Sequence, residues 1–169
     1  MNRKAFFTSG WKGKVLMGIR NSAKGIMISE DKILVTKNRD AEGDFYLFPG
    51  GGQEWGEPLH NTLKREFLEE VGKEVDVKEL LHIREYIGKN HEYAAFDSNV
   101  HQVDYYFLCH AVKECRDQAP TQPDKNQVGI EWLPIDALLE YRIYPKSLRS
   151  YLIEYHNHKK TIVYLGDIN

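Results

Sequence analysis

Between Glu57 and Glu70 the chain carries four glutamates and one arginine, Glu57, Arg65, Glu66, Glu69 and Glu70, and these are the residues whose types and spacing could do chemistry. Glu66, Glu69 and Glu70 stand at i, i+3 and i+4, so on a helix they share one surface. Three like charges placed that way are mildly destabilising unless a cation lies among them. Oxygen-rich clusters of this kind suit hard divalent ions, Mg2+ or Mn2+, which keep several waters and bind substrate phosphates. The competing reading is an ordinary helix face laced with salt bridges, for which Lys64, Arg65 and Lys73 offer partners, Arg65 to Glu69 at i, i+4 in particular.

The elements that must position these acids are a helix and a turn. Gly56-Glu57-Pro58 reads as a helix start, because a proline in the first turn lacks an N–H that would have had no partner anyway. Gly72 reads as the stop. Leu59, Leu63, Phe67 and Val71 recur every fourth residue and form one apolar stripe. On that wheel Glu66 and Glu70 project beside or within the stripe, not on the face a solvated helix would give them. Ahead of the helix, Tyr46-Leu47-Phe48 runs as a short strand into Pro49-Gly50-Gly51-Gly52, a turn where the backbone can approach a ligand with no side chain in the way.

Gly51, five residues, Glu57, seven residues and then Arg65-Glu66-Phe67-Leu68-Glu69-Glu70-Val71-Gly72 resembles the signature of the Nudix hydrolases. Every fixed glycine, glutamate and arginine position matches; the last position, apolar in the signature, is Lys73 here, which bears on packing at the helix exit more than on ligands. The resemblance implies an α/β fold, an α/β/α sandwich with a mixed β-sheet, over roughly residues 20–155. It also implies an enzyme, a pyrophosphohydrolase that cleaves a nucleoside diphosphate linked to another group into a nucleoside monophosphate and a phosphorylated remainder. Mg2+, or Mn2+ in its place, would be held by Glu66, Glu69, Glu70 and the carbonyl of Gly50. Arg65 would orient the carboxylates, and Glu57 would steady the glycine loop or help orient water. Glu57, Arg65 and Glu69 are the catalytic candidates, with no base assigned among the glutamates. Relatives often supply a further acid from the loop before the last strand; here neutral Asn126 and Gln127 stand in that place, and Asp124 or Glu131 could serve instead, the competing reading of each being a solvated acid. The alternative from another class is a catalytically weak nucleotide-sensing or RNA-binding module of the same fold; such modules commonly lose signature glutamates, and all four are present.

Substrate choice must come from outside the signature. Lys89, His91, Tyr93, Phe96 and His101 mark the longest polar interval between strands, and Tyr93, Phe96 and His91 are candidates to stack or hold the substrate, with Trp55 in the glycine turn as another. The same aromatics would serve equally to pin the loop to the core. Relatives that hydrolyse ADP-ribose often carry a proline shortly past the signature, where Ile87-Gly88-Lys89 stands. Dinucleoside-polyphosphate hydrolases favour a tyrosine slightly beyond, where Lys89-Asn90-His91 stands. Neither subgroup is favoured.

Length and composition set the frame. The 169 residues suit one domain with a sizeable core, and a net charge of −2 gives no basic field for long nucleic acid. No apolar run reaches membrane-spanning length and no signal peptide is evident, so a cytoplasmic protein acting on a small nucleotide diphosphate, away from membranes, is expected, with a homodimer left open. Residues 1–16 read as a loosely packed extension and residues 17–169 as the single domain. Cys109 reads as core and Cys115 as part of a charged turn, with neither a disulfide nor a thiol nucleophile expected.

Flanking the signature, Ser22–Ser29 and Lys32–Asn38 around Glu30-Asp31 read as a β-hairpin. Two long alternating strands follow, residues 73–88, interrupted near Lys78, and residues 101–112. Residues 113–127 form a loop, Ile130–Pro134 a short strand, Ile135–Tyr141 a short helix and Lys146–His156 a second helix. Residues 161–167 close the chain as a strand or extended tail.

Overall fold

The computed structural model describes residues 18–112 and 119–169, so the expectations for residues 1–16 and for Cys115 fall outside the described residues. Strand β1, Arg20–Ile26, is followed by β2, Ile28–Ser29, and β3, Lys32–Asp40. Glu30 and Asp31 take φ of 49° and 58°, the paired left-handed conformation of a tight hairpin turn. The expected hairpin is only half of what forms. β2 pairs with β3, whereas β1 bends away at Met27 and joins a different sheet, in parallel with β6, His101–Ala111. Ala23 and Met27 are buried in one core and Ile26 in another, so the segment is covered on both faces.

β4, Gly43–Leu47, pairs antiparallel with β3 and delivers the glycine turn. Helix α1, Leu59–Glu70, follows. Pro58 stands one position before the first helical turn, extended at φ −65° and ψ 146°, and its carbonyl accepts the amides of Asn61 and Thr62 at 2.9 and 3.0 Å. Gly72, at φ +73°, ends the helix as its left-handed stop. The long strand β5, Val75–Ile87, is irregular where a break was expected, with register shifts between Val77 and His82. The polar interval then holds a 3-10 turn, Gly88–Asn90, and the short α2, Ala94–Asp97. After β6 come β7, Gln127–Pro134, a 3-10 helix, Ile135–Glu140, and β8, Ile143–Tyr144. α3, Leu148–His156, and β9, Tyr164–Asp167, complete the chain.

One sheet has the order β1-β6-β5-β9 and is mixed, because β1 and β9 run parallel to their neighbours while β5 and β6 are antiparallel. The other contains β2, β3, β4 and β8, with β7 along β3. Alternate residues of the same strands feed two separate cores. Leu34, Phe107 and Cys109 join Leu63 and Phe67 of α1 and Val71 just past its end, while Ile33, Val35 and Tyr106 join Leu148 and Leu152 of α3. Side-chain alternation thus places α1 and α3 on opposite faces of the strand layer, the expected α/β/α sandwich.

Candidate active site

The glycine turn lies against β1 as if it were a further antiparallel strand. Ala23 N–H donates to Gly51 O at 3.0 Å, Gly25 N–H to Pro49 O at 2.9 Å, and Gln53 N–H to Asn21 O at 3.0 Å. Gly50 adopts φ +125°, and a Cβ on it would stand 2.2 Å from Ala23 O, so only glycine fits. A Cβ on Gly51 would meet the Glu66 carboxylate at 2.4–2.5 Å. The turn is bare because a carboxylate from α1 occupies the space.

Arg65 holds this arrangement together. Its Nε and Nη2 donate to the two carboxylate oxygens of Glu57, each at 3.0 Å, and Nη2 also reaches Gly52 O at 3.2 Å. Nη1 donates to Glu66 at 2.8 Å and to Glu69 at 3.3 Å. Glu57 further accepts from Thr62 Oγ1 at 2.8 Å and from Glu54 N–H at 3.2 Å. The Arg65 guanidinium and these other donors hold the Glu57 carboxyl down at about 2. Glu57 is therefore an ionised anchor between the turn and the helix.

Glu70 accepts the amide of Gly50 at 2.9 Å and is buried, and burial pushes its carboxyl up to about 7 against the opposing charge of Lys24. Burial raises Glu66 as well. Glu66, Glu69 and Glu70 line one polar cleft of about 300 Å³ together with Gly50, Gly51, Gly52, Arg20, Lys24, Gln122 and Asp124. Among the described residues no group of His, Cys, Asp or Glu side chains is converged as a ready-made metal cage, because Glu66 and Glu69 turn toward Arg65. The donor set itself fits a hard divalent ion: carboxylates and a carbonyl, two of the carboxyls in a desolvated position that disfavours their bare charge.

The two candidates for an additional acid separate cleanly. Asp124 lines the cleft and its charge acts on Glu70. Its loop is fastened to the end of α1 by Gln122 N–H to Glu69 O at 3.0 Å and Gln127 Nε2 to Glu70 O at 2.7 Å. Glu131 instead pairs with Lys37 at 3.1 Å, outside the cleft lining.

None of the candidate substrate residues lines the cleft. Trp55 is fully exposed and Phe96 nearly so, at 88 %. Tyr93 donates to or accepts from Tyr144 Oη at 2.8 Å, beside Arg142 and Lys146, which both lie over the Tyr144 ring. His91 is engaged internally: its Nε2 lies 2.6 Å from Asp167, and its ring stacks on Tyr86 at 5.0 Å. Sequence reasoning missed Arg20 and Lys24. The available signal for Lys24 was a lysine set between Ala23 and Gly25, just ahead of the apolar Ile26-Met27.

The NUDIX domain description matches residues 19–152. The chain belongs to the NUDIX family. The NUDIX region is 37 % identical over 87 residues to a Xenopus laevis protein named nucleoside diphosphate-linked moiety X motif 6; the match covers 50 % of this chain and 37 % of that one. The chain thus spans well under half of that curated relative. Among solved structures, a NUDIX hydrolase from Nitrosomonas europaea superposes with a TM-score of 0.66 at 20 % identity, covering 85 % of this chain and 92 % of the other. An ADP-ribose pyrophosphatase from Streptococcus suis superposes with a TM-score of 0.60 at 18 % identity, covering 89 % and 100 %. At these identities the likeness is one of fold. No helix among the described residues is long and apolar enough to cross a membrane.

Proposed function

We propose that this NUDIX domain is a pyrophosphohydrolase that cleaves a nucleoside diphosphate linked to another group into a nucleoside monophosphate and a phosphorylated product. The observation that carries the reading is the one cleft in which Glu66, Glu69, Glu70 and Asp124 face Arg20 and Lys24 beside the bare glycine turn. Mg2+, with Mn2+ able to replace it, would be held by Glu66, Glu69, Glu70 and the Gly50 carbonyl, with Asp124 in reach as a further acid. A divalent ion bound there supplies charge neutralisation at phosphoryl oxygens and a lowered pKa for bound water.

The chain's own residues supply the positioning. Arg65, anchored by Glu57, fixes where Glu66 and Glu69 can reach. Arg20, whose Nη1 donates to Gln102 at 2.7 Å, presents a guanidinium at the cleft for a phosphate oxygen. Trp55, Tyr93 and Phe96, exposed or partly so, are assigned to the part of the substrate beyond the diphosphate. His91 holds its segment through Asp167 and Tyr86.

The test is a product-resolved screen of nucleoside-diphosphate derivatives and monophosphates with Mg2+, repeated in EDTA and in 18O-labelled water. A nucleoside monophosphate product, loss of turnover in EDTA and label on one phosphate product are expected. Undiminished turnover in chelator, or a phosphomonoester as best substrate, would refute the mechanism. Nucleotide binding without turnover would identify a sensing module instead.

A further inference from the structure

Lys24 is the feature of the cleft that the signature does not account for. It sits on β1 directly behind the glycine turn, and the Cβ position of Gly50 lies 3.0 Å from Lys24 Cα, so the two residues are in backbone contact. Its ammonium donates to the carbonyl of Gly50. Its charge also acts on Glu66 and Glu70, the two carboxylates of the cleft that burial raises. Every group that the ammonium engages is one that a divalent ion would need. The carbonyl is the sharpest case, since both would approach the same oxygen. The neighbouring cation Arg20 differs: it is drawn aside by Gln102 and by the wall of Gly52, where a Cβ would meet its guanidinium at 2.6–3.1 Å.

We propose that Lys24 is a tethered stand-in for the metal, an internal cation that holds the Gly50 carbonyl and the acids in place in the metal-free chain and must leave the carbonyl when a divalent ion binds. This inference rests on the reading of the cleft as a divalent-metal site. Lys24 is in this sense a positioning residue that sets how tightly the ion is held. Two consequences follow from competition for one oxygen and from like-charge repulsion. Removing the ammonium weakens the metal-free fold and strengthens metal binding. A lysine placed only to meet substrate phosphate, with no bond to the carbonyl, would act on the ion through charge alone, as Arg20 does.

The experiment is a titration of the full chain with Mn2+ alone, following free Mn2+ by EPR, together with thermal melts with and without the ion. Lys24→Met is expected to bind Mn2+ about tenfold more tightly, equivalent to about 1.4 kcal/mol. It should melt lower than the unsubstituted chain without metal and gain more on Mn2+ addition. Lys24→Gln, which keeps a donor for the carbonyl but no charge, serves as a second variant and should also bind more tightly. Arg20→Met should shift the affinity distinctly less. Unchanged or weaker Mn2+ binding in both Lys24 variants overturns the inference, and so does an equal shift in Arg20→Met, which would reduce the effect to bulk charge. Failure to bind Mn2+ in any of these proteins also overturns it. Absence of Mn2+ binding in all of them would remove the metal reading of the cleft as well, whereas a chain that binds Mn2+ and hydrolyses nucleotides yet shows no Lys24 effect refutes this inference alone.

Discussion

Replacing Gly51 by alanine should lower turnover by about two orders of magnitude while leaving the chain folded. The Cβ would come to 2.4 Å from Glu66 Oε1 and 2.5 Å from its Cδ and Oε2, whereas ordinary contact begins at 3.4 Å. The carboxylate must therefore retreat by about 1 Å, a displacement that near catalytic groups typically costs about a hundredfold. It is also held from behind by Arg65 at 2.8 Å, so the retreat disturbs the ion pair that fixes its reach. Gly51 is not among the glycines in the left-handed region, and the obstructing atoms belong to a side chain, so the fold itself need not move. Gly50→Ala makes the contrast. There φ is +125° and the obstruction is the carbonyl of Ala23, so that variant should fold poorly or not at all. The assay is kcat on the best substrate of the nucleotide screen, with melting temperature measured alongside. Gly51→Ala with full turnover, or with a collapse in melting temperature equal to that of Gly50→Ala, would refute the reasoning.

Glu66→Gln and Glu70→Gln should each reduce kcat by orders of magnitude with the fold retained, because each keeps shape and removes a charged ligand; variants that lose stability but keep activity would favour a purely structural salt-bridge role. Asp104→Asn should destabilise by about 3–5 kcal/mol in denaturant unfolding, since Arg84, bonded to Asp104 at 2.8 Å, would be left as an uncompensated buried charge. His82 is fully buried with Nδ1 bonded to Ile162 O at 2.8 Å and Nε2 without a partner among the described residues, and burial lowers its pKa. Its folded pKa lies below the unfolded value, so its contribution is present above the unfolded pKa of about 6.5 and is lost as pH falls through the folded one. Melting temperature should accordingly decline on acidification below that point, and the decline should be shallower in His82→Phe.

The acid helix was legible because everything that defines it is local. Pro58, Gly72, the apolar stripe and the glutamate spacing all lie within one element and its ends. The turn was legible for the same reason, since glycines declare close approach directly. What the approach was to did not follow, because β1 reaches the turn only after leaving its own hairpin for the other sheet. Lys24 and Arg20 arrive at the cleft by that route. Asp124 and Glu131 looked equivalent as acids near a strand start. They are parted by register, which sets Glu131 opposite Val35 and within reach of Lys37, while the Gln122 and Gln127 bonds carry Asp124 to the helix end. His91 looked like a substrate contact in a polar interval, and its partner Asp167 lies in the last strand, beyond the reach of any local pattern.

The glycine turn is a loop in outline but a strand in its bonding to β1, and that has a consequence in time. The amides of Ala23, Gly25 and Gln53 are spent on these bonds, and that of Gly50 on Glu70. Hydrogen exchange at these amides is therefore governed by opening of the sheet rather than by loop motion, so they should exchange as slowly as the central strands and far more slowly than the amides around the exposed Trp55. The glycine turn keeps the slow clock of the core, although its outline is that of a loop.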